Sequence, residues 1–151
     1  MNSMIDSNIP IFGSPLPGVC YRKRPAAYAI IRNRAGEIAV VREPSGYWLP
    51  GGGSDPGETP EEAVIREVRE ELGYDFHIAE KIGEAIQYFY ASTDNEHYEM
   101  HAVFFLGELT GNPLGSKEYE ICWLDIPSHL PFFFHSSHDW ATRLHIAPPD
   151  L

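Results

Sequence analysis

The 151-residue chain has a formal net charge of −11 and 43% hydrophobic residues, so it has room for one domain with a single sizeable core. Its acidic balance argues against a nucleic-acid polymer as a partner, because phosphate backbones are bound by basic surfaces. No apolar run approaches the roughly 18 residues that cross a bilayer, and the first 18 residues lack the basic start and apolar stretch of a signal peptide.

The N-terminal third of the chain is predicted to pass from a flexible arm into β-strands. Residues 1–18 are rich in Pro, Gly and Ser and are expected to have weak structure. Residues 28–32 and 38–42 are β-branched runs separated by the sequence Asn-Arg-Ala-Gly, which predicts a β-hairpin. The sequence Tyr-Trp-Leu-Pro then leads into a turn made of three glycines.

One amphipathic helix is predicted between Thr59 and Gly73. Thr59 can cap its first turn, Pro60 suits the first helical position, and Glu62 completes a capping box. Gly73 suits the left-handed residue that follows the last turn. The apolar stripe that should face a core consists of Val64, Ile65, Val68 and Leu72.

Three carboxylates crowd onto a neighbouring face of this helix. Glu67, Glu70 and Glu71 have the spacing i, i+3 and i+4, which destabilises an isolated helix by roughly 0.2–0.5 kcal/mol per like-charged pair. A cation should offset that repulsion, and Arg66 and a divalent metal ion are the two candidates. The alternative is a solvated acidic face without a ligand. Residues 51–75 carry eight acidic and two basic side chains, so a polyphosphate would need metal ions to bind there.

The C-terminal half predicts further strands and a second helix. Residues 84–91 and 100–109 are expected to form strands joined by a polar loop, and residues 121–124 a short strand. Residues 137–146 are a helix candidate. Strands on either side of a central helix, with a helix at the end, indicate a single mixed α/β domain.

The stretch from Gly51 to Tyr74 resembles the signature box of the Nudix hydrolases. From Gly52 it runs through five residues to Glu58 and through seven more to Arg66-Glu67-Val68-Arg69-Glu70-Glu71-Leu72-Gly73-Tyr74. Every fixed polar and glycine position of the pattern is filled, and Tyr74 is the one departure from an aliphatic preference. The resemblance implies an α/β/α sandwich with a mixed sheet, covering roughly residues 19–147 of a domain at 19–151.

The same resemblance implies which residues act. The metal ligands would be Glu67, Glu70 and Glu71, with the Gly51 carbonyl nearby, and the metal would be Mg²⁺ or Mn²⁺. Arg66 would orient Glu58 or a neighbouring carboxylate, and one of the helix carboxylates would prepare the attacking water.

A further acidic candidate lies before the predicted strand at 121–124. Many Nudix enzymes have an acidic metal ligand or base shortly before such a Trp-containing strand. Glu118 and Glu120 both precede it, and Glu120 matches that place better by spacing. An exposed loop carboxylate is the equal alternative.

Aromatic and basic residues outside the box leave alternatives open. The aromatic candidates for stacking on a nucleobase are Tyr47, Trp48, Tyr88, Phe89 and Tyr90. Such residues in strands also serve as core, and Trp48 looks structural. The basic candidates for phosphate contact are Arg24, Arg32 and Arg42, whose plainer role is surface solubility. Residues 132–134, three consecutive phenylalanines, predict either core or an interface patch, which is compatible with a homodimer.

The sequence therefore predicts metal-dependent hydrolysis of a phosphoanhydride bond in a small-molecule nucleotide, with a nucleoside triphosphate or a dinucleoside polyphosphate as the preferred substrate. The alternative is a non-catalytic module of the same fold that binds nucleotide or a protein partner as a sensor or regulatory module. The intact box favours catalysis. Cys20 and Cys122 form neither a disulfide framework nor a metal-ligand spacing, so a reduced, cytoplasmic setting is expected.

Overall fold

The computed structural model describes residues 8–125 and 133–144. The strands are β1 Ile11–Phe12, β2 Arg22–Ile31, β3 Ile38–Glu43, β4 Gly46–Trp48, β5 Gly51–Gly53, β6 Asp75–Ala91, β7 Glu96–Thr110 and β8 Cys122–Leu124. The helices are α1 Pro60–Leu72 and α2 Ser136–Leu144. Within the described ranges, no helix has the length and apolarity that a bilayer crossing requires.

Two sheets form the centre of the domain. Five strands pair in the order β1-β6-β7-β2-β5, and three pair in the order β4-β3-β8. The larger sheet is mixed, because β2 pairs with β7 in parallel and with β5 antiparallel. This confirms the predicted single mixed α/β domain.

The two helices cover opposite faces of the larger sheet. Successive side chains of a strand point to opposite faces, and β2 is buried on both from Ala26 to Ile31. Ala26, Tyr28 and Ile30 belong to one apolar cluster, which includes Ala141 of α2. The intervening β2 residues belong to the other cluster, together with the buried stripe of α1. The α/β/α sandwich is therefore confirmed.

The predicted hairpin at 28–42 is wrong beyond its turn. Asn33 and Glu37 close the turn through a backbone hydrogen bond of 3.0 Å, and one bridge joins Arg32 to Ile38. The two strands then separate into different sheets, because β7 and β5 already pair with the two edges of β2.

The three glycines at 51–53 also differ from the expected turn. They form the edge strand β5, which pairs antiparallel with Ala26, Ala27 and Tyr28. The predicted strands at 84–91 and 100–109 lie within a longer hairpin, whose strands β6 and β7 have 17 and 15 residues. Register shifts near Glu80 and Lys81 interrupt its alternation, which is why the sequence pattern underestimated its length.

The terminal segments are partly ordered by strand pairing and by packing. Within the expected arm, Ile11 and Phe12 pair in parallel with β6, and the Phe12 ring lies 5.7 Å from that of Trp140. Residues 1–7 lie outside the described ranges. The predicted helix at 137–146 is observed as α2, and its last two positions also lie outside them.

Candidate active site

Helix α1 is fixed at both ends by the residues that predicted it. The Thr59 side chain accepts a hydrogen bond from the Glu62 N–H at 3.1 Å, and the Glu62 carboxylate accepts one from the Thr59 N–H at 2.9 Å. Gly73 is left-handed, with φ of 74°, and its N–H donates to the Arg69 carbonyl. These caps confirm the predicted bounds and set which side chains face the sheet.

The face of α1 beside the apolar stripe is directed at the glycine strand β5. The Gly51 N–H donates to Oε1 of Glu71 at 2.9 Å. A Cβ at Gly52 would lie 2.4 Å from Oε2 of Glu67. Glu67 and Glu71 therefore sit against backbone that has no side chains, and this contact explains two glycines of the box.

Both of these carboxylates are poorly solvated. Burial raises the pKa of Glu71 to about 8, opposed by the Gly51 hydrogen bond and supported by the charges of Glu67, Glu118 and Glu43. Burial also raises the pKa of Glu67, and the Arg66 charge opposes that shift. Two poorly solvated carboxylates this close together favour a bound cation.

Arg66 connects the helix to the loop that carries Glu58. Its Nε and Nη2 donate to the two oxygens of Glu58 at 2.7 and 3.0 Å, and Nη2 also donates to the Gly53 carbonyl. The Arg66 hydrogen bond, with one from the Asp55 N–H, lowers the pKa of Glu58 to about 2. Glu58 is thus a structural anion that ties the loop to α1. Arg66 is held in its charged form.

The other acidic candidates are placed differently. Glu70 is half-exposed and accepts from Nη1 of Arg66 at 3.1 Å. Glu120 is not brought to the cluster: its side chain is 84% exposed and pairs with Nζ of Lys117 at 3.0 Å. Glu118 lies at the end of α1, where its N–H is 3.2 and 3.0 Å from the carbonyls of Glu70 and Glu71, and its charge raises the pKa of Glu67 and Glu71.

The helix carboxylates have the chemistry of a site for a hard cation. Among residues 8–125 and 133–144, no three His, Cys, Asp or Glu side chains are already gathered closely enough to enclose an ion. Glu67 and Glu71 are nevertheless desolvated oxygen donors with excess negative charge around them, which suits Mg²⁺ or Mn²⁺. Glu70, on the same helix, is engaged by Arg66 instead. The resemblance implied that the Gly51 carbonyl lies near the metal ligands. The contact that Gly51 makes with Glu71 is through its N–H.

A cleft of about 720 Å³ opens beside Glu67 and Glu58. Arg22, Lys23 and Arg24 of β2 line its other wall. The guanidinium carbon of Arg24 lies 5.3 Å from the centre of the Tyr98 ring, a cation–π contact at the cleft. Of the three arginines considered for phosphate contact, Arg24 lines this cleft, whereas Arg32 and Arg42 are not among its described walls.

Aromatic residues continue from the acidic cluster to a second cavity. Trp48 lines a 210 Å³ cavity together with Glu71 and Arg24, and its ring stacks on Phe134 at 4.8 Å. Beyond it, a cavity of about 350 Å³ has walls that include Gln87, Phe89, Tyr90, Phe134 and His135.

His135 and Gln87 are polar residues of this region that the sequence did not single out. His135 is 1% exposed, its Nε2 has no hydrogen-bond partner among the described residues, and burial lowers its pKa to about 3. The Gln87 side chain accepts from the Ser137 N–H at 3.0 Å. No local pattern marks either residue, because α2 brings the two together from distant parts of the chain.

Comparison with known proteins agrees with this arrangement. The family model of the NUDIX domain matches residues 22–142. A Bacillus subtilis (strain 168) protein, provisionally named an 8-oxo-dGTP diphosphatase, is 35% identical over 112 residues, which are 71% of this chain and 69% of that protein. The diphosphoinositol polyphosphate phosphohydrolase 3-alpha of Mus musculus is 33% identical over 92 residues, 59% of this chain, and the match spans 54% of its length.

A solved structure shares the fold. The crystal structure of the MutT protein from Methanosarcina mazei Go1 aligns with a TM-score of 0.64 and 25% identity, covering 84% of this chain and 96% of that one. Since the family match spans most of the chain and includes every residue of the acidic cluster, the chain belongs to the Nudix family of hydrolases.

Proposed function

We propose that this Nudix hydrolase cleaves the phosphoanhydride bond of a nucleoside triphosphate or a dinucleoside polyphosphate, with Mg²⁺ or Mn²⁺ as cofactor. The observation that carries the proposal is the cleft in which Glu67 faces a wall formed by Arg22, Lys23 and Arg24. A polyphosphate placed there would have basic side chains on one side and a cation site on the other.

The metal would be held by the carboxylates of Glu67, Glu70 and Glu71. When bound, it supplies Lewis acidity and neutralises phosphate charge. Arg66 would keep these ligands in place, because it forms ion pairs with both Glu67 and Glu70 and is itself fixed by its ion pair with Glu58.

Glu67 is our assignment for the general base. It lines the open cleft, whereas Glu71 lines the inner cavity and is engaged by the Gly51 N–H. In the reaction a water oxygen bonds to phosphorus, the bridging P–O bond breaks, and the leaving phosphate takes the bonding electrons. Glu67 receives the proton of the water.

The aromatic cavity supports a nucleotide as the substrate class. Phe89, Phe134 and Tyr90 offer faces on which a base could stack, and base–aromatic stacking is worth roughly 1–3 kcal/mol per base. Trp48 connects this cavity to the acidic cluster through its contacts with Phe134 and the cavity of Glu71. A diphosphoinositol polyphosphate carries more phosphate groups than the three basic side chains of this cleft, Arg22, Lys23 and Arg24, can neutralise.

A sensor module that binds nucleotide without cleaving it is the second candidate. Such a protein has no need for two desolvated carboxylates that repel each other. The position of Glu67 at the open cleft, facing Arg22, Lys23 and Arg24, supports catalysis.

The test is a panel of compounds incubated with Mg²⁺ or Mn²⁺, with products identified by mass. The panel contains dGTP, 8-oxo-dGTP, ATP, a diadenosine polyphosphate, ADP-ribose, a 5′-triphosphate RNA and a diphosphoinositol polyphosphate. We expect a nucleoside triphosphate or a dinucleoside polyphosphate to be turned over fastest, and chelation to abolish turnover. Cleavage in ¹⁸O-labelled water identifies the phosphorus that is attacked. Nucleotide binding without any turnover would favour the sensor, and full activity in excess chelator would exclude the metal mechanism.

We also propose that the chain forms a homodimer and that it works in the cytoplasm. A homodimer is compatible with the exposed ring of Phe134. Phe133 packs against the core cluster of β2 and α2, and Phe132 lies outside the described residues. A cytoplasmic setting is compatible with Cys20 and Cys122, which are both free thiols. Sedimentation of the purified chain tests the first expectation, and fractionation of source cells tests the second.

A further inference from the structure

Residues 114–119 form a strap across the C-terminal end of α1. The last carbonyls of a helix have no partner within the helix. Here the Glu118 N–H lies 3.2 and 3.0 Å from the carbonyls of Glu70 and Glu71, and the Tyr119 N–H donates to the Glu71 carbonyl at 2.9 Å. The Leu114 N–H donates to the Gly73 carbonyl at 2.8 Å. The strap thus takes the place of the next helical turn.

The strap lies directly on the end of the helix. A Cβ at Gly73 would be 2.7 Å from the Ser116 carbonyl oxygen, which is closer than real contacts allow. Gly73 is therefore needed for the approach of the strap as well as for its left-handed conformation. The end of α1 that carries Glu70 and Glu71 is held by a segment more than 40 residues further along the chain.

One side chain anchors the strap to the smaller sheet. The Tyr119 hydroxyl donates a hydrogen bond to a carboxylate oxygen of Glu43, the last residue of β3. The Tyr119 ring also packs against the apolar cluster that contains the stripe of α1. Glu43 lines the 210 Å³ cavity with Glu71, and its charge is one of those that act on Glu71.

We propose that Tyr119 is a positioning residue for the cation site on α1. Its hydroxyl holds the Glu43 carboxylate and fixes the strap, and the strap fixes the carbonyl end of α1 and the place of Glu118. Without the hydroxyl, the Glu43 carboxylate beside Glu71 loses this hydrogen bond. The strap then keeps its backbone hydrogen bonds and the packing of the Tyr119 ring, and loses its polar contact with β3. This role rests on the proposed function, because it presumes that the helix carboxylates bind Mg²⁺ or Mn²⁺.

The experiment measures Mg²⁺ affinity by titration calorimetry, without substrate, in wild type and in Tyr119→Phe. The substitution keeps the ring and its packing. We expect the affinity to fall by about tenfold, the lower end of what partners of metal ligands contribute. Amide exchange followed by NMR should show faster exchange at the Glu118 and Tyr119 N–H groups. Tyr21→Phe is the matched control, since that hydroxyl accepts from the Leu16 N–H on an exposed surface, and it should bind Mg²⁺ as wild type does.

Variants at Glu43 separate hydrogen bonding from charge. Glu43→Gln keeps an acceptor for the Tyr119 hydroxyl and should bind Mg²⁺ nearly as wild type does. Glu43→Leu removes the acceptor and should lower the Mg²⁺ affinity as much as Tyr119→Phe does. The double variant that combines Glu43→Leu with Tyr119→Phe should bind Mg²⁺ no more weakly than either single variant. If Tyr119→Phe does not fold, Glu43→Leu decides the question alone.

The outcomes distinguish the two proposals. Wild-type binding with an unchanged affinity in Tyr119→Phe and Glu43→Leu would overturn the positioning role alone. A loss in Glu43→Gln as large as in Tyr119→Phe would assign the effect to the charge of Glu43 and overturn it as well. Absence of Mg²⁺ and Mn²⁺ binding by wild type would overturn the proposed function and, with it, this role for Tyr119.

Discussion

The backbone N–H of Gly51 donates a hydrogen bond to Oε1 of Glu71 at 2.9 Å, so the edge strand β5 and the last turn of α1 meet at a desolvated carboxylate. Gly51 has a φ of 141°, and a Cβ there would lie 2.2 Å from the Ala27 carbonyl oxygen. Only glycine allows this N–H to reach the helix. The glycine strand and the acidic helix face therefore form one structural unit.

The first prediction separates the roles of two adjacent glycines. Gly52→Ala should lower kcat by about 10²-fold, because its Cβ would displace the Glu67 carboxylate by an ångström or more. Its free energy of unfolding should change by less than about 1 kcal/mol, since the atom it meets ends a movable side chain. Gly51→Ala should instead lower the free energy of unfolding by about 3 kcal/mol, because it meets backbone. Chemical denaturation and steady-state kinetics check both, and equal loss of stability in the two variants would contradict the assignment.

The second prediction concerns the carboxylates of α1. Glu67→Gln and Glu71→Gln should each lower kcat by roughly 10²-fold or more, if one charge-stabilising contact is worth ~2.7–4 kcal/mol. Folding should survive, because each Gln keeps a hydrogen-bonding oxygen and removes one of the repelling charges. Glu61→Gln, an exposed position in the first turn of the same helix, is the control and should be nearly silent. Thermal melts and assays in which Glu61→Gln is as damaging as Glu71→Gln would make the acidic face structural.

Local signals predicted the helix and its face well. Thr59, Glu62 and Gly73 act within a few residues of one another, so their capping geometry could be read from spacing alone. The same holds for Glu67 and Glu71, which a helical repeat must place on one side. What the sequence could not give was the surface that this face meets, since β5 is a strand only because β2 pairs with it.

Residues that tertiary packing brings to the site could not be predicted from local spacing. Spacing favoured Glu120, yet the path of the strap over the helix end places Glu118 nearer the cluster and leaves Glu120 in solvent. His135 carries no motif, and its burial depends on α2 packing against the sheet. Arg24 was one of three equivalent arginines until the sheet placed it at the cleft.

The third prediction concerns the two hydrogen bonds that Arg66 donates to the Glu58 carboxylate. Arg66→Lys keeps the charge but cannot donate to both oxygens of Glu58 and to the Gly53 carbonyl at once. We expect activity to fall by about tenfold or more, as for other partners of metal ligands. Arg69→Lys on the same helix is the control, since Arg69 pairs with Asp75 on the exposed side. Equal activities for the two lysine variants, measured at saturating Mg²⁺, would show that the fork geometry is unimportant.

The two buried histidines make the fold sensitive to acid. Nδ1 of His138 accepts from the Leu49 N–H at 3.2 Å, so that ring is neutral in the fold. Burial lowers the pKa of both rings, of His135 to about 3. Below the ordinary pKa of 6.5, the unfolded chain therefore takes up protons that the folded chain excludes. The contribution of neutral His135 to the free energy of unfolding is complete above pH 6.5 and is lost as the pH falls toward 3.

The last prediction follows from that sign. The free energy of unfolding should fall by up to about 1.4 kcal/mol per pH unit for each buried histidine as the pH drops below 6.5. His135→Phe keeps an aromatic ring among Trp48, Phe89 and Phe134 and removes the group that titrates. Its stability curve, from urea denaturation at pH 4 to 8, should be flatter than that of wild type. Parallel curves for wild type and His135→Phe would mean that His135 takes up a proton in the fold as readily as in the unfolded chain, contrary to its burial.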